Sequence, residues 1–143
     1  MGSGAAHAIN YRDAQWPERV RELAPDGVDM VFDPVGGPLF LDSLKLLRPL
    51  GVALEIGFAG GLWPQLEPAL LVGRNVGVQG FYLGRLMSRR SDVVRQGALD
   101  LIRLWESDLL RPVVGATFPL EQAGEAHRLI EERRSQGKVV LVP

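Results

Sequence analysis

Apolar residues in this chain fall into short runs that alternate with helical spacings. The run that organises the rest is VDMVFDPVGG, from Val28 to Gly37. Four of the five residues from Val28 to Phe32 are apolar, which suits a central strand buried on both faces of a parallel sheet. Asp33 and Pro34 end it, because proline lacks a ladder donor and pushes the preceding residue toward extended geometry. Gly36 and Gly37 then permit a tight turn or a close backbone approach. PLFLDSLKLL follows, with Phe40, Leu44 and Leu47 at helical spacing, so a helix is expected over Leu39 to Leu47. A strand, a glycine turn at its carboxyl end and a helix make half of a βαβ unit. In open α/β sheets ligands settle at such carboxyl ends, so function is sought near Gly36 and Gly37.

The remaining pattern continues the alternation. Ala6 to Tyr11 predicts a short strand, and Trp16 to Leu23 a helix with Pro17 in its first turn. After Pro49 and Gly51 a third strand is expected over Gly51 to Ile56, followed by a second glycine turn from Gly57 to Gly61. Two glycine turns in succession at carboxyl ends imply one shared crevice. A connector with Pro64 and Pro68 leads to a fourth strand, Asn75 to Leu83, whose Gly77 and Gly80 mark a bulge or close approach. Ser91 and Asp92 are expected to cap a helix to about Ser107, with Val94, Ala98, Leu101, Ile102 and Trp105 on one face. Leu109 to Phe118 reads as a partly extended connector and Leu120 to Arg133 as a helix with Ala123, Ala126, His127 and Ile130 on a stripe. Gly137 caps it, and Lys138 to Val142 closes the chain as a strand. Together these elements predict an α/β fold with one mostly parallel, right-handed sheet and flanking helices.

Composition narrows the chemistry. The chain has 143 residues, 46% hydrophobic, enough for one domain with a real core. A net charge of -1 gives no general attraction to nucleic acid or to an anionic membrane, so neither is expected as a partner. Zero cysteines exclude disulfides, thiolate metal sites and cysteine nucleophiles, and the two histidines, His7 and His127, make a histidine zinc site improbable, so no metal is expected. No apolar run approaches the roughly 20 residues that span a bilayer, and a cytoplasmic location is the expectation. His127 on its apolar stripe reads as a core histidine. Glu55 is odd, since a buried strand should not carry an unpaired carboxylate, and an open sheet edge beside it is one explanation. Alternation puts Asp29 and Asp33 on one face without implying a paired-carboxylate mechanism. No nucleophile, triad or metal cluster is evident, so no catalytic residue is assigned.

The succession GAAHAINYRD, GVDMVFDPVGG, the GF of EIGFAGG, NVGVQGFYLG and LRPVVGATFPLEQAGEAHRLIEERRSQGKVVL resembles the medium-chain dehydrogenase/reductase superfamily, above all its zinc-independent quinone oxidoreductases. The resemblance runs from about Gly4 to Pro143. It implies a truncated Rossmann-like domain, in which residues 113–143 resemble the segment that returns to the catalytic domain. Members are more than twice as long, with a G-x-G-x-x-G fingerprint that binds the pyrophosphate; nothing of that type precedes AHAINY here. The chain is therefore expected to begin near the family's third Rossmann strand.

Several residues match family positions around NADP. The resemblance places Tyr11 near the adenine and 2′-phosphate, against the plainer reading of a strand-end tyrosine. It places Val35, Gly36 and Gly37 beside the adenosine ribose, and Gly57 and Phe58 beside the nicotinamide ribose, where plain tight turns are the alternative. Phe81, Tyr82 and Leu83 match a segment flanking the nicotinamide, though core or interface packing would use the same aromatics. Lys138 matches a terminal lysine that approaches the cofactor, unless it is simply solvated.

The resemblance implies an NADPH-dependent quinone or enone oxidoreductase that passes hydride to a conjugated acceptor, with this chain as its incomplete nucleotide-binding portion and weak or absent cofactor binding alone. A homodimer is expected from strand Asn75 to Gly80. The alternative is a self-associating, non-catalytic domain that has lost nucleotide binding.

Overall fold

The computed structural model describes residues 4–143. The backbone divides into two compact units, residues 1–84 and 85–143. In the first lie α1 (Trp16–Leu23), β1 (Val28–Asp33), α2 (Gly37–Leu44), β2 (Leu47–Glu55), α3 (Pro68–Arg74) and β3 (Gly77–Gly80). Helix α4 (Leu83–Arg89) crosses the division. The second unit holds α5 (Ser91–Glu106), β4 (Val114–Pro119), a 3-10 turn over Leu120–Gln122, α6 (Ala123–Glu131) and β5 (Lys138–Val142).

In the first unit the strands form a parallel sheet in the order β1-β2-β3. Val31, Ala53 and Val78 lie side by side in register, as do Asp33, Glu55 and Gly80 one pleat further on. The face carrying Val31, Ala53 and Val78 is covered: Ala53 is buried among Phe40, Leu44, Leu47 and Val76, with Leu70 and Leu71 packed around them. Phe40 and Leu44 are fully buried, each contributing about 1.5–3 kcal/mol of transfer free energy. On the opposite face Met30 is 53% and Phe32 64% exposed. In the second unit β4 and β5 pair in parallel, and α6 buries Ala126.

The fold class, α/β with parallel strands and flanking helices, is the expected one, and α1 and β5 occupy their expected spans. Other expectations need correction. Ala6 to Tyr11 is not a strand. At its end and beyond, Asn10 and Asp13 draw the chain into turns, the Asn10 Oδ1 accepting from the Arg12 N–H and the Asp13 Oδ1 from the Gln15 N–H. Among the described residues β1 pairs with β2 alone, at the edge of the sheet rather than its centre, and Met30 and Phe32 are exposed on the face opposite the core. Glu55 does not face an open edge, because β2 is the middle strand. Instead of running to Leu47, α2 ends at Leu44, and Leu47 already pairs with Val28. The register then jumps between Val28 and Met30, where Pro49 and Gly51 break the ladder within β2.

Pro68 begins helix α3 at a position where a missing N–H is harmless, so the supposed connector is partly helical. The fourth strand is only Gly77–Gly80, since Leu83 already starts α4. Helix α5 has its expected span, but Arg90 occupies the cap and no side chain bonds there; its stripe of Leu101, Ile102 and Trp105 is exposed. The last helix opens with the 3-10 turn and ends at Glu131, so Gly137, with φ +77°, turns the chain into β5 rather than capping the helix. His127 is exposed, not a core residue. Among the described residues the strands form two sheets rather than one.

Candidate functional site

The site is built at the carboxyl ends of β1, β2 and β3. Asp33 closes β1 and is 4% exposed. Its Oδ1 accepts the Val35 N–H at 2.5 Å and the Gly36 N–H at 2.9 Å, holding the chain in an Asx turn. Gly36 adopts φ 74° and ψ -162°, a region essentially restricted to glycine. A Cβ on Gly36 would lie 2.8 Å from the Leu62 carbonyl oxygen and 3.4 Å from the Phe58 Cα.

The second turn is bonded onto the first. The Ala59 N–H donates to the Pro34 carbonyl and the Gly60 N–H to the Val35 carbonyl, both at 2.9 Å. A Cβ on Gly57 would lie 3.2 Å from the Pro34 carbonyl oxygen. The strand ends are joined likewise, the Ile56 N–H donating to the Asp33 carbonyl and the Phe81 N–H to the Glu55 carbonyl, each at 2.9 Å. The rim of the sheet is thus one hydrogen-bonded unit.

Below the rim, on the open face, an apolar cleft of about 510 Å³ is lined by Phe32, Leu54, Ile56, Phe81, Tyr82 and Leu83. Phe58 and Trp63, both exposed, stand with ring centroids 4.3 Å apart on the second turn and its continuation. On the covered face, both carboxylate oxygens of Glu55 are buried without a hydrogen-bond partner. Burial first, then the neighbouring Asp33 carboxylate, pushes the Glu55 carboxyl above the usual glutamate value. The Gly57 N–H opposes this weakly without reaching hydrogen-bond geometry.

Of the residues singled out in the sequence, Val35, Gly36, Gly37, Gly57 and Phe58 come together at the bonded turns, and Phe81, Tyr82 and Leu83 line the cleft at the same sheet end. Tyr11 lies in the turn before α1, 44% exposed and outside this bonded set. Lys138 opens β5 in the second unit, where its N–H donates to the Val113 carbonyl at 2.7 Å. Asp33 as the turn's anchor, and Phe32, Leu54 and Ile56 as cleft walls, were not singled out. An aspartate two and three residues before the amides it binds was a readable signal for the first; the walls depended on strand register.

A profile of the family described as zinc-binding dehydrogenase matches residues 3–141. The chain belongs to this family. Its expected place among the medium-chain dehydrogenases/reductases stands with that match. Over 99% of its length the chain is 33% identical to quinone oxidoreductase-like protein 2 of Bos taurus, covering 41% of that protein. It superposes on a mycobacterial protein solved in complex with NADPH with a TM-score of 0.86, at 32% identity over 98% of this chain and 43% of that one. A quinone oxidoreductase of Pseudomonas syringae gives a TM-score of 0.85 at 26% identity, over 98% of this chain and 43% of that one. The chain therefore spans about two fifths of the length of the relatives it matches. Despite the family's description, its residues do not fit zinc: cysteine is absent, and among the described residues no three His, Asp or Glu side chains converge.

Proposed function

We propose that this chain is the nucleotide-binding portion of an NADPH-dependent quinone or enone oxidoreductase. The observation that carries this reading is the rim itself, two glycine turns bonded to each other beside an aromatic-lined cleft at the carboxyl ends of parallel strands. The cleft's volume is that of a small-molecule site, and its walls suit a flat, weakly polar ring. Relatives named as quinone oxidoreductases, and one solved with NADPH, support the cofactor and acceptor classes.

In this reading Val35, Gly36 and Gly37 lie beside the adenosine ribose and Gly57 and Phe58 beside the nicotinamide ribose, with Tyr11 near the 2′-phosphate. Phe81, Tyr82 and Leu83 flank the nicotinamide. A bound nicotinamide would supply the hydride. The chain's own contribution is to orient the ring, shield it from water and fix the distance to a conjugated acceptor. Residues 113–143, which contain the separate β4–β5 pair, correspond to the segment returning to a catalytic domain.

A second reading, a self-associating domain without nucleotide binding, is favoured by one feature: among the described residues β1 and β3 each pair on one side only. Titration of the isotope-labelled chain with NADPH separates the two. The nucleotide reading expects saturable amide shifts concentrated at Val35 to Gly37, Gly57, Phe58 and Phe81 to Leu83. With no G-x-G-x-x-G turn in these 143 residues, binding should be no tighter than about millimolar. Shifts scattered over other surfaces, or none at all, would reject it.

A further inference from the structure

The buried, partnerless carboxyl of Glu55 has no role in the nucleotide reading. It lies on the face that carries Ala53, at the carboxyl end of the middle strand, directly beside Asp33 of β1 in the parallel register. Asp33 is committed, its Oδ1 already accepting the Val35 and Gly36 N–H groups that shape the first turn. Immediately after Glu55 comes the second turn, whose Ala59 and Gly60 amides grip Pro34 and Val35. The Asp33 and Glu55 side chains therefore share one face at the strand ends that lead into the two turns.

We propose that Glu55 is a proton-controlled latch of the rim: as the neutral acid it lets the two turns close on each other, and as the anion it repels Asp33 and loosens them. The proposal goes beyond nucleotide binding and does not depend on it.

The charged surroundings are simple. From β1 the facing group is Asp33, and the register partner on β3 is Gly80, which bears no charge. On the packed helices, Asp42 is tied to Lys45 at 2.8 Å on the exposed surface, and the Arg74 guanidinium donates to the Lys45 carbonyl at 2.7 Å. The charge acting on Glu55 is that of Asp33. The sign follows from linkage. A carboxyl raised in the folded state contributes stability that is full below the ordinary glutamate range and is lost as pH rises through the raised value. This is the reverse of a salt-bridged carboxylate. Among the described residues no basic side chain pairs with the Glu55 carboxylate, so the repulsion acts across two adjacent strand ends in a partly dehydrated site.

The test is thermal unfolding of the full chain and of Glu55→Gln between pH 4 and pH 8, with amide hydrogen exchange at Ala59 and Gly60. The variant should match the wild type at pH 4 and melt about 2–4 °C higher at pH 8. In the wild type, exchange at Ala59 and Gly60 should accelerate with pH beyond the intrinsic rate, and in the variant it should not. An advantage of the variant that is equal at both pH values, or none at either, would overturn the proposal. If Glu55→Gln does not fold, carboxyl-carbon titration of Glu55 in the wild type decides: a midpoint at or below the ordinary glutamate value overturns the latch, and one raised, and lowered again by Asp33→Asn, sustains it.

Discussion

Gly36 shows why a residue can be glycine for the chain's sake. Its φ 74° and ψ -162°, with the Leu62 carbonyl 2.8 Å from where a Cβ would stand, require glycine before any ligand arrives. Gly57 is less constrained: it has no positive φ, and a methyl there would press on the Pro34 carbonyl at 3.2 Å. Gly36→Ala should therefore lower stability by about 1–3 kcal/mol in urea unfolding, and Gly57→Ala by less. Equal losses would show that the turn geometry is not what sets the residue. The Asx turn makes a companion prediction. Asp33→Ala strands two amide donors and should cost about 1–3 kcal/mol, whereas Asp33→Asn keeps an acceptor at Oδ1 and should cost less.

At the scale of elements, burial separates helices that the sequence presents as equals. Helix α2 sinks Phe40 and Leu44 into the covered face of the sheet, whereas α5, with an equally regular apolar stripe, leaves Leu101 55% and Trp105 57% exposed. Leu44→Ala should accordingly cost about 2–5 kcal/mol, and Leu101→Ala in the same chain about 0.5 kcal/mol or less, by denaturant midpoints. Periodicity is a local property and was legible for α1, α5 and β5. It missed α3 because two prolines in its approach resemble a loop, and it invented a strand at Ala6 to Tyr11 because no sequence window reveals whether a partner strand exists.

For the whole molecule, the main consequence is the uncovered side of the first sheet. Parallel sheets are ordinarily covered on both faces, yet Met30 and Phe32 are solvent-exposed, and β1 and β3 each keep a free edge among the described residues. Such a surface favours association, so sedimentation velocity should show concentration-dependent dimers in the micromolar range, reduced by Phe32→Glu. A monomer at every concentration would count against it.

By itself the sequence determined the α/β class, the family, the two glycine turns and their place at strand carboxyl ends. Those features rest on short-range patterns, a strand's run of apolar residues and the turn chemistry of Asp33-Pro34 and Gly36-Gly37, which any window contains. Only the tertiary structure decided that β2 rather than β1 is central, that Asp33 anchors the first turn while the second is bonded to it, that Phe32, Leu54 and Ile56 wall the cleft, and that the Glu55 carboxylate oxygens are buried on the strand beside Asp33. These depend on pairing between residues far apart in sequence, where a shift of register exchanges the two faces of a strand and no local signal marks which neighbour a strand will find.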